Sequence, residues 1–492
     1  MNIVLSETYF FYQSIAQKLF EELGEKIKLE LFVVEINKST QKINSHPKLP
    51  NNVCGTYNNI INLCLEKVSK ITKLPEDLYS DFLANNRGYN GGKQYDDELL
   101  IQAKNQLLVR YIQQGISKDE TFKHYTSFCS ELFQDDNSYY LIFVHLPSQF
   151  ANKFYSLPKD IYYSPHYILP SSLLNSLMLN YLNECVRVIK ENENKKVIEM
   201  YSKGAKDYIR LAGELLTKRI SFSICNNIPN NFFDCINSIS SLYYEKSGCK
   251  GMLLLVNNDN PNLELTIKFI EPIELNKYKT VRKLFEISSD NNMLVSDTQF
   301  VYGIGKLKKD YDKTDEKIYI IEVNKSNKWK LYHNNNLLMA VELGHPVFPQ
   351  PKFKIELLDE KLIKKIGEIS DEQKKNIYNV INAAILQTKG TIIVISKNAL
   401  TESQRLKKYS INTEPFKLVP DIVHKITAID GAVMMDINCI CFSFGLILDG
   451  IANIDKGDNS RGARYNSAIK YLETNPDSII IIVSEDGMVD VI

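Results

Sequence analysis

The sequence predicts an α/β (α+β) protein: an N-terminal α/β domain, a helical connector, and two copies of one β-α-β unit, the first degenerate. Three observations carry that reading. Short apolar runs of strand length alternate along the chain with longer stretches of helical spacing. Landmarks in the second half recur at a nearly constant offset. The 492 residues suffice for about three domains, each large enough to bury its own core.

Residues 1–150 form the predicted N-terminal α/β domain. Tyr9, Tyr12, Ile15, Leu19 and Leu23 recur at helical spacing, and Gly24 is placed as a C-terminal stop. Ile27 to Ile36 and Tyr139 to Leu146 read as strands. Between them, Arg87 to Gln94 is rich in glycine and ends near a lysine. It lacks the four-residue spacer between glycines and the hydroxyl after the lysine that a phosphate loop needs, so it reads as a loop before a helix near Glu98–Gln113. Residues 151–225 form a helical connector, helical throughout from about 171 to 218, which spaces the N-terminal domain from the second half of the chain.

The repeat occupies 226–345 and 371–492. In both copies a helical stretch leads into Lys-Gly and an apolar strand: Lys250-Gly251-Met252-Leu253-Leu254-Leu255-Val256 and Lys389-Gly390-Thr391-Ile392-Ile393-Val394-Ile395. The glycines lie 139 residues apart, the Glu-Pro pairs at Glu271 and Glu414 lie 143 apart, and Asp290 precedes Asp430 by 140. Asp297 and Asp436 (139) and Gly305 and Gly445 (140) complete the set. The copies then diverge. Twelve residues separate Gly305 from the strand starting at Lys317, whereas 33 separate Gly445 from the strand starting at Ser478. The extra segment, and Gly431-Ala432 in place of Asn291-Asn292, predict one working site and one structural or sensing copy.

Composition narrows the function classes. With 59 basic and 59 acidic side chains, zero net charge argues against a nucleic-acid partner or an anionic-membrane coat. No run approaches the ~18 apolar residues of a membrane span, and the N-terminus carries no export pattern. The nine cysteines are scattered and lack paired zinc-ligand spacing. A cytoplasmic protein with buried free thiols is expected.

The second copy concentrates the chemistry. Asp430-Gly431-Ala432 falls at a helix-to-strand turn, where small residues let a ligand approach the backbone beside a carboxylate. Arg461 and Arg464 flank Gly462-Ala463 ahead of the helical-looking Ser467–Glu473, a good setting for a polyphosphate. Ser484-Glu485-Asp486-Gly487 closes the apolar strand Ile479 to Val483 at its C-terminal end, the edge where ligands of open α/β sheets bind. Carboxylates, arginines and a helix N-terminus together are what a magnesium nucleotide requires. Each segment alone also reads as a capping serine or a solvated charged loop.

Asp-Gly-Ala, a Gly-x-Arg loop about thirty residues on, and a Val-Ser-Glu strand end resemble the diadenylate cyclase (DAC) domain of the DNA-integrity scanning protein DisA and the cyclic di-AMP synthases. The resemblance covers Asp371 to Ile492 and is nearest to multi-domain relatives with an N-terminal sensor region. It implies a mixed β-sheet flanked by helices, two ATP condensed to cyclic di-AMP with release of pyrophosphate, and Mg or Mn. It also implies face-to-face pairing of two such domains, in a homo-oligomer or through a pseudo-two-fold pairing of the two copies within the chain. By the same resemblance, Asp430 binds metal and assists the attacking 3′-hydroxyl, and Glu485 is a second metal ligand. Gly431, Ala432 and Ser484 lie beside the nucleotide. Gly462, Ala463, Arg464, Tyr465 and Asn466 form the phosphate loop, with Arg464 catalytic.

That loop departs from the family's Gly-Thr-Arg-His-Arg. Ala463 replaces threonine, Tyr465 histidine and Asn466 the second arginine, which leaves Arg461 as the candidate replacement cation. Two functions are compatible with these residues: an active cyclase regulated by the N-terminal region, or a catalytically inactive nucleotide-binding sensor.

Overall fold

The computed structural model describes residues 5–22, 27, 29–40, 42–86, 93–134, 136–152, 154–191, 204–228, 231–289, 291–308, 310–347, 355–385, 390–450, 463–484 and 489–492. It divides into two compact units, Met1–Pro349 and Gln350–Ile492. Asp290 and the glycine-rich 87–92 lie outside the described residues.

In the first unit, β1 (Glu30–Asn37), β2 (Ile43–His46), β3 (Tyr125–Cys129), β4 (Phe133–Gln134) and β5 (Ser138–Pro147) form an antiparallel sheet, β2-β1-β5-β3, with β4 also on β5. Strand β1 is apolar at successive positions because both of its faces are covered. Leu31 and Val33 face one core, and Phe32, Val34 and Ile36 face the other, as the two-residue period of a strand requires. The second of these cores is built with the helices Asn51–Ser69 and Lys93–Lys118. The first is built with Leu5–Glu22, Leu173–Glu191 and Ala205–Cys225. That core continues through Phe232–Ser241 into Leu253, Leu294 and Trp329 of the next sheet. The helices after residue 172 therefore do more than space two domains; they are a layer of shared core. The hairpin β6 (Ile161–Ser164) and β7 (Tyr167–Leu169) forms its own two-stranded sheet, packed on Ala205–Cys225 through Leu169, Leu215 and Phe222.

His145 on β5 is buried among the rings of Phe32, Phe122 and Phe143. Its Nε2 is hydrogen-bonded to Tyr57 Oη at 2.5 Å and its Nδ1 to Ser127 Oγ at 2.6 Å. Burial lowers its pKa from 6.5 to about 4. Because the folded pKa lies below the unfolded one, the unfolded chain takes up the proton first as pH falls. Stability is therefore lost between pH 6.5 and about 4, by on the order of 3 kcal/mol in full. Thermal melts of the full chain across that window are expected to show the loss, and His145→Gln to flatten the slope. Buried His333 titrates in the same sense and leaves a remainder.

The second sheet of this unit contains β8 (Gly251–Leu255), β9 (Leu263–Glu274), β10 (Met293–Ser296), β11 (Phe300–Leu307), β12 (Tyr319–Lys325), β13 (Lys328–His333), β14 (Asn336–Glu342) and β15 (His345–Val347). The C-terminal unit contains β16 (Thr391–Ile395), β17 (Ile411–Lys417), β18 (Ala432–Met435), β19 (Ile440–Leu446), β20 (Ile479–Val483) and β21 (Val489–Val491). The sheet of the first copy runs β9-β11-β10-β8-β12-β13 before adding β14 and β15, and that of the second copy runs β17-β19-β18-β16-β20-β21. These paths are the same, with one parallel pair in each, β8 with β10 and β16 with β18. Both sheets are mixed, because every other neighbour is antiparallel.

The Asp297 and Asp436 landmark is explained by this shared path. Asp297 and Asp436 each close a hairpin by accepting two backbone N–H groups, from Gln299 and Phe300 and from Asn438 and Ile440. Leu275 and Leu418 each donate a backbone bond across the sheet, to the carbonyls of Gln299 and Cys439. The glycine pairing needs correction by one residue. Leu253 registers with Leu294 and Ile393 with Val433, and these four face the helix-covered cores. Gly251 is therefore equivalent to Thr391 rather than to Gly390; a one-residue slip would turn each side chain to the wrong face.

In the C-terminal sheet, Ile393, Ile395, Val433 and Met435 pack on the helices Ile355–Lys365, Asp371–Ile385 and Pro420–Ile426. Ile392, Val394, Met434, Ile480 and Ile482 pack on Ala399–Arg405 and Ala463–Thr474. Those last two helices have no counterpart among the described residues of the first copy, where turns follow β8 and β11. All nine cysteines are free thiols, and no helix among the described residues is long and apolar enough to cross a membrane.

Candidate functional site

The C-terminal sheet brings Gly390, Asp430-Gly431 and Ser484 to one edge, because β16 and β18 begin there while the antiparallel β20 ends there. The site thus sits at the start of the parallel pair, not at its carboxyl end; only β20 presents its C-terminus. Asp430 leaves the helix Pro420–Ile426 through a short turn and enters β18. Its Oδ1 accepts the Gly431 N–H at 3.2 Å, and its side chain is 97% exposed.

Gly431 has φ +110°, and a β-carbon there would lie 2.5 Å from the carbonyl carbon of Gly445. The close approach of β18 to β19 therefore demands glycine. Ala432 is buried in the cluster of Ile392, Val394 and Tyr471.

The helix Ala463–Thr474 begins four residues earlier than its sequence suggests, so Arg464 falls in its first turn. Its guanidinium lies across Gly390: a β-carbon on that glycine would be 2.7 Å from Nη1 and 3.1 Å from the Val483 carbonyl oxygen. From this seat Nη2 is 3.7 Å from Asp430 Oδ1. Water screens so exposed a pair, which leaves both groups available to a ligand at little cost. Ala463 is exposed, Asn466 and Ser484 are half-buried, and the half-buried ring of Tyr465 packs against the sheet's core. Thr391, beside Gly390, has a buried hydroxyl without a hydrogen-bond partner among the described residues. Arg461, Gly462 and Glu485 lie outside the described residues, and no group of three or more potential metal ligands occurs among those described.

Sequence reasoning missed a network behind this edge. Arg405 donates Nη1 to Asp449 Oδ2 at 2.5 Å and Nη2 to Oδ1 at 2.8 Å. Its Nε reaches Glu402 at 3.1 Å, and Tyr471 Oη donates to Glu402 at 2.9 Å. The Arg405 hydrogen bond holds the Asp449 carboxyl below its ordinary pKa. Gly450 lies so close to the backbone of Lys470 that a β-carbon would sit 2.3 Å from its carbonyl carbon. The chain leaving β19 is thus pinned to the helix that carries Arg464. Arg405→Gln is expected to lower stability by about 1 kcal/mol, since the pairs are partly exposed. A fall in the melting temperature of a few degrees checks it.

A carboxylate and a guanidinium 3.7 Å apart at one edge of a helix-flanked mixed sheet mark the candidate site of this small α/β domain. Residues 381–492 match the DAC family, described as DisA bacterial checkpoint controller nucleotide-binding. The chain thus carries a DAC-family domain at its C-terminal end. Residues 10–217 match the probable sensor domain DACNG, and 230–335 the probable sensor domain DACNH. No curated protein matches. Among solved structures the chain is similar to a double cysteine mutant of DacA from Staphylococcus aureus. The identity is 23%, over 25% of this chain and 83% of that one, with a TM-score of 0.22.

Proposed function

We propose that the chain is a diadenylate cyclase that condenses two ATP into cyclic di-AMP, regulated by its N-terminal region. The observation that carries this reading is the 3.7 Å approach of Arg464 to Asp430, within a domain that matches the DAC family. In each of two steps a ribose 3′-oxygen bonds to the α-phosphorus of the other ATP, the bond to pyrophosphate breaks, and the hydroxyl proton is lost. Asp430 sits where a carboxylate can orient that hydroxyl and accept its hydrogen bond. In this reading Arg464, which lies over Gly390, neutralises charge on the phosphates and the leaving pyrophosphate. The donor set suits Mg or Mn: Asp430 offers hard carboxylate oxygen with open space, and such ions bind through one or two carboxylates plus substrate phosphates. Glu485 is the second carboxylate in this assignment. When bound, the metal lowers the hydroxyl pKa and offsets phosphate charge.

Two ATP must face each other, so two DAC domains pair across their sites. Support comes from an apolar rim beside Asp430. Ile429, Ile411, Tyr409 and Ile447 are 42%, 50%, 59% and 65% exposed. They adjoin one another around Gly445 and through the Ile447 N–H to Tyr409 carbonyl bond.

Purified chain incubated with ATP and Mg²⁺ or Mn²⁺ is expected to yield cyclic di-AMP by mass spectrometry. The second reading, a catalytically inactive nucleotide sensor, is favoured by Tyr465, whose ring packs on the core where the family has a histidine. Bound ATP without product under either metal would support it.

A further inference from the structure

We infer that the N-terminal domain holds a second ligand site, for a small organic anion, in a cleft built around Arg110. The segment after the Asn51–Ser69 helix and the helix Lys93–Lys118 enclose a cleft of about 420 Å³. That volume lies in the range typical of small-molecule sites, about 300–1,000 Å³.

The walls divide by chemistry. Ile71, Leu78 and Leu107 supply an apolar floor, and Arg110, Lys73 and Tyr111 supply the polar side. Lys67 stands over the Tyr111 ring at 3.8 Å and brings a third cation to the neighbourhood. Asp77 is the one carboxylate among the lining residues. Arg110 stacks over the Tyr162 ring at 5.1 Å and makes no ion pair among the described residues. The guanidinium is half-buried and keeps its hydrogen-bonding fork for a ligand, and that planar fork matches a carboxylate or phosphate.

The seat is rigid. Tyr79 Oη donates to Gln106 Oε1 at 2.7 Å, and Gln106 Nε2 donates to the Ser164 carbonyl at 3.3 Å. Those bonds tie the helix bearing Arg110 to the β6–β7 hairpin bearing Tyr162. An anion with an apolar body therefore fits: its charged head on Arg110 with Lys73 at the rim, its body on Leu78 and Leu107. Nothing here depends on nucleotide chemistry in the C-terminal domain, so the two readings stand or fall separately.

Hydrogen–deuterium exchange on the full chain tests the site with phenyl phosphate, benzoate and neutral benzyl alcohol as probes. Protection of peptides covering 71–79 and 104–112 is expected with phenyl phosphate, benzoate or both, and the stronger of the two tells a phosphate ligand from a carboxylate one. Benzyl alcohol is expected to give none. Arg110→Gln is expected to weaken the protecting anion about tenfold or more, the loss of a charge-assisted bidentate contact. Should that variant fail to fold, exposed Lys73→Gln decides, with a loss of about threefold expected for a rim charge. The inference is overturned by absence of protection with both anions, by equal protection with benzyl alcohol, or by unchanged affinity in the variants.

Discussion

Asp430→Asn is expected to cut cyclic di-AMP synthesis by on the order of 10³-fold, the scale seen when a group stabilising transition-state charge is removed. The fold should not register the change. Asp430 is 97% exposed, and its contacts among the described residues are the Gly431 N–H and a distant Arg464. Asparagine keeps an oxygen for that N–H, so the melting temperature is expected to hold within the ~0.5 kcal/mol range of a surface substitution. Activity is lost here without stability, the signature of a group that acts on substrate. Product formed at the parent rate would remove Asp430 from the reaction and leave the sensor reading.

The second large effect is expected at Arg464. Arg464→Met keeps much of the aliphatic stem and deletes the guanidinium, so kcat/KM should fall about 10²-fold through lost phosphate neutralisation. A companion substitution reaches the same group indirectly. In Gly390→Ala the new methyl would lie 2.7 Å from Arg464 Nη1 and 3.1 Å from the Val483 carbonyl. The backbone of β20 is fixed in the sheet, so the arginine must move. Gly390→Ala is expected to lose about tenfold in kcat/KM, as a misplaced positioning contact does, and to add little to the loss in the double variant. Independent, additive losses would show that Gly390 acts by another route.

Much of this architecture is legible in the residues, for identifiable reasons. Strands β16 and β20, Thr391-Ile392-Ile393-Val394-Ile395 and Ile479-Ile480-Ile481-Ile482-Val483, are apolar at nearly every position because both faces are covered. The repeated aspartates survive divergence because each closes the same hairpin with two backbone bonds. The extra segment after Gly445 announces a helix that the first copy lacks. Asp430 and Arg464, 34 positions apart in sequence, stand out as an isolated carboxylate at a turn and an arginine in a small-residue loop.

Other features leave no periodic trace. Glu402, Arg405, Asp449 and Tyr471 belong to three segments, and only the packing of two helices on one sheet face assembles them. The edge on which the site lies is set by β20 running antiparallel to β16, a fact of pairing rather than of composition. Helical spacing after residue 171 shows helices but not that they carry core for two sheets at once. The single-residue slip between Gly251 and Gly390 hid the true register, since similar apolar runs align equally well one place apart.

Two copies of one strand path in a single chain carry a hazard during folding, because β16 is chemically acceptable in the place of β8 and the reverse. Interdomain misassembly is a characteristic failure of repeated units. The unequal faces of the two sheets supply discrimination. A β16 inserted in the first sheet would set Ile392 and Val394 against turns near Leu307 and Tyr311, where their own sheet offers two helices. A β8 inserted in the second would bring Met252 and Leu254 to the places of Ile392 and Val394, under two helices that its own sheet does not offer among the described residues. The difference in helices between the described residues of the two copies thus acts as a folding safeguard, because it gives the two strands unlike surfaces to pack on.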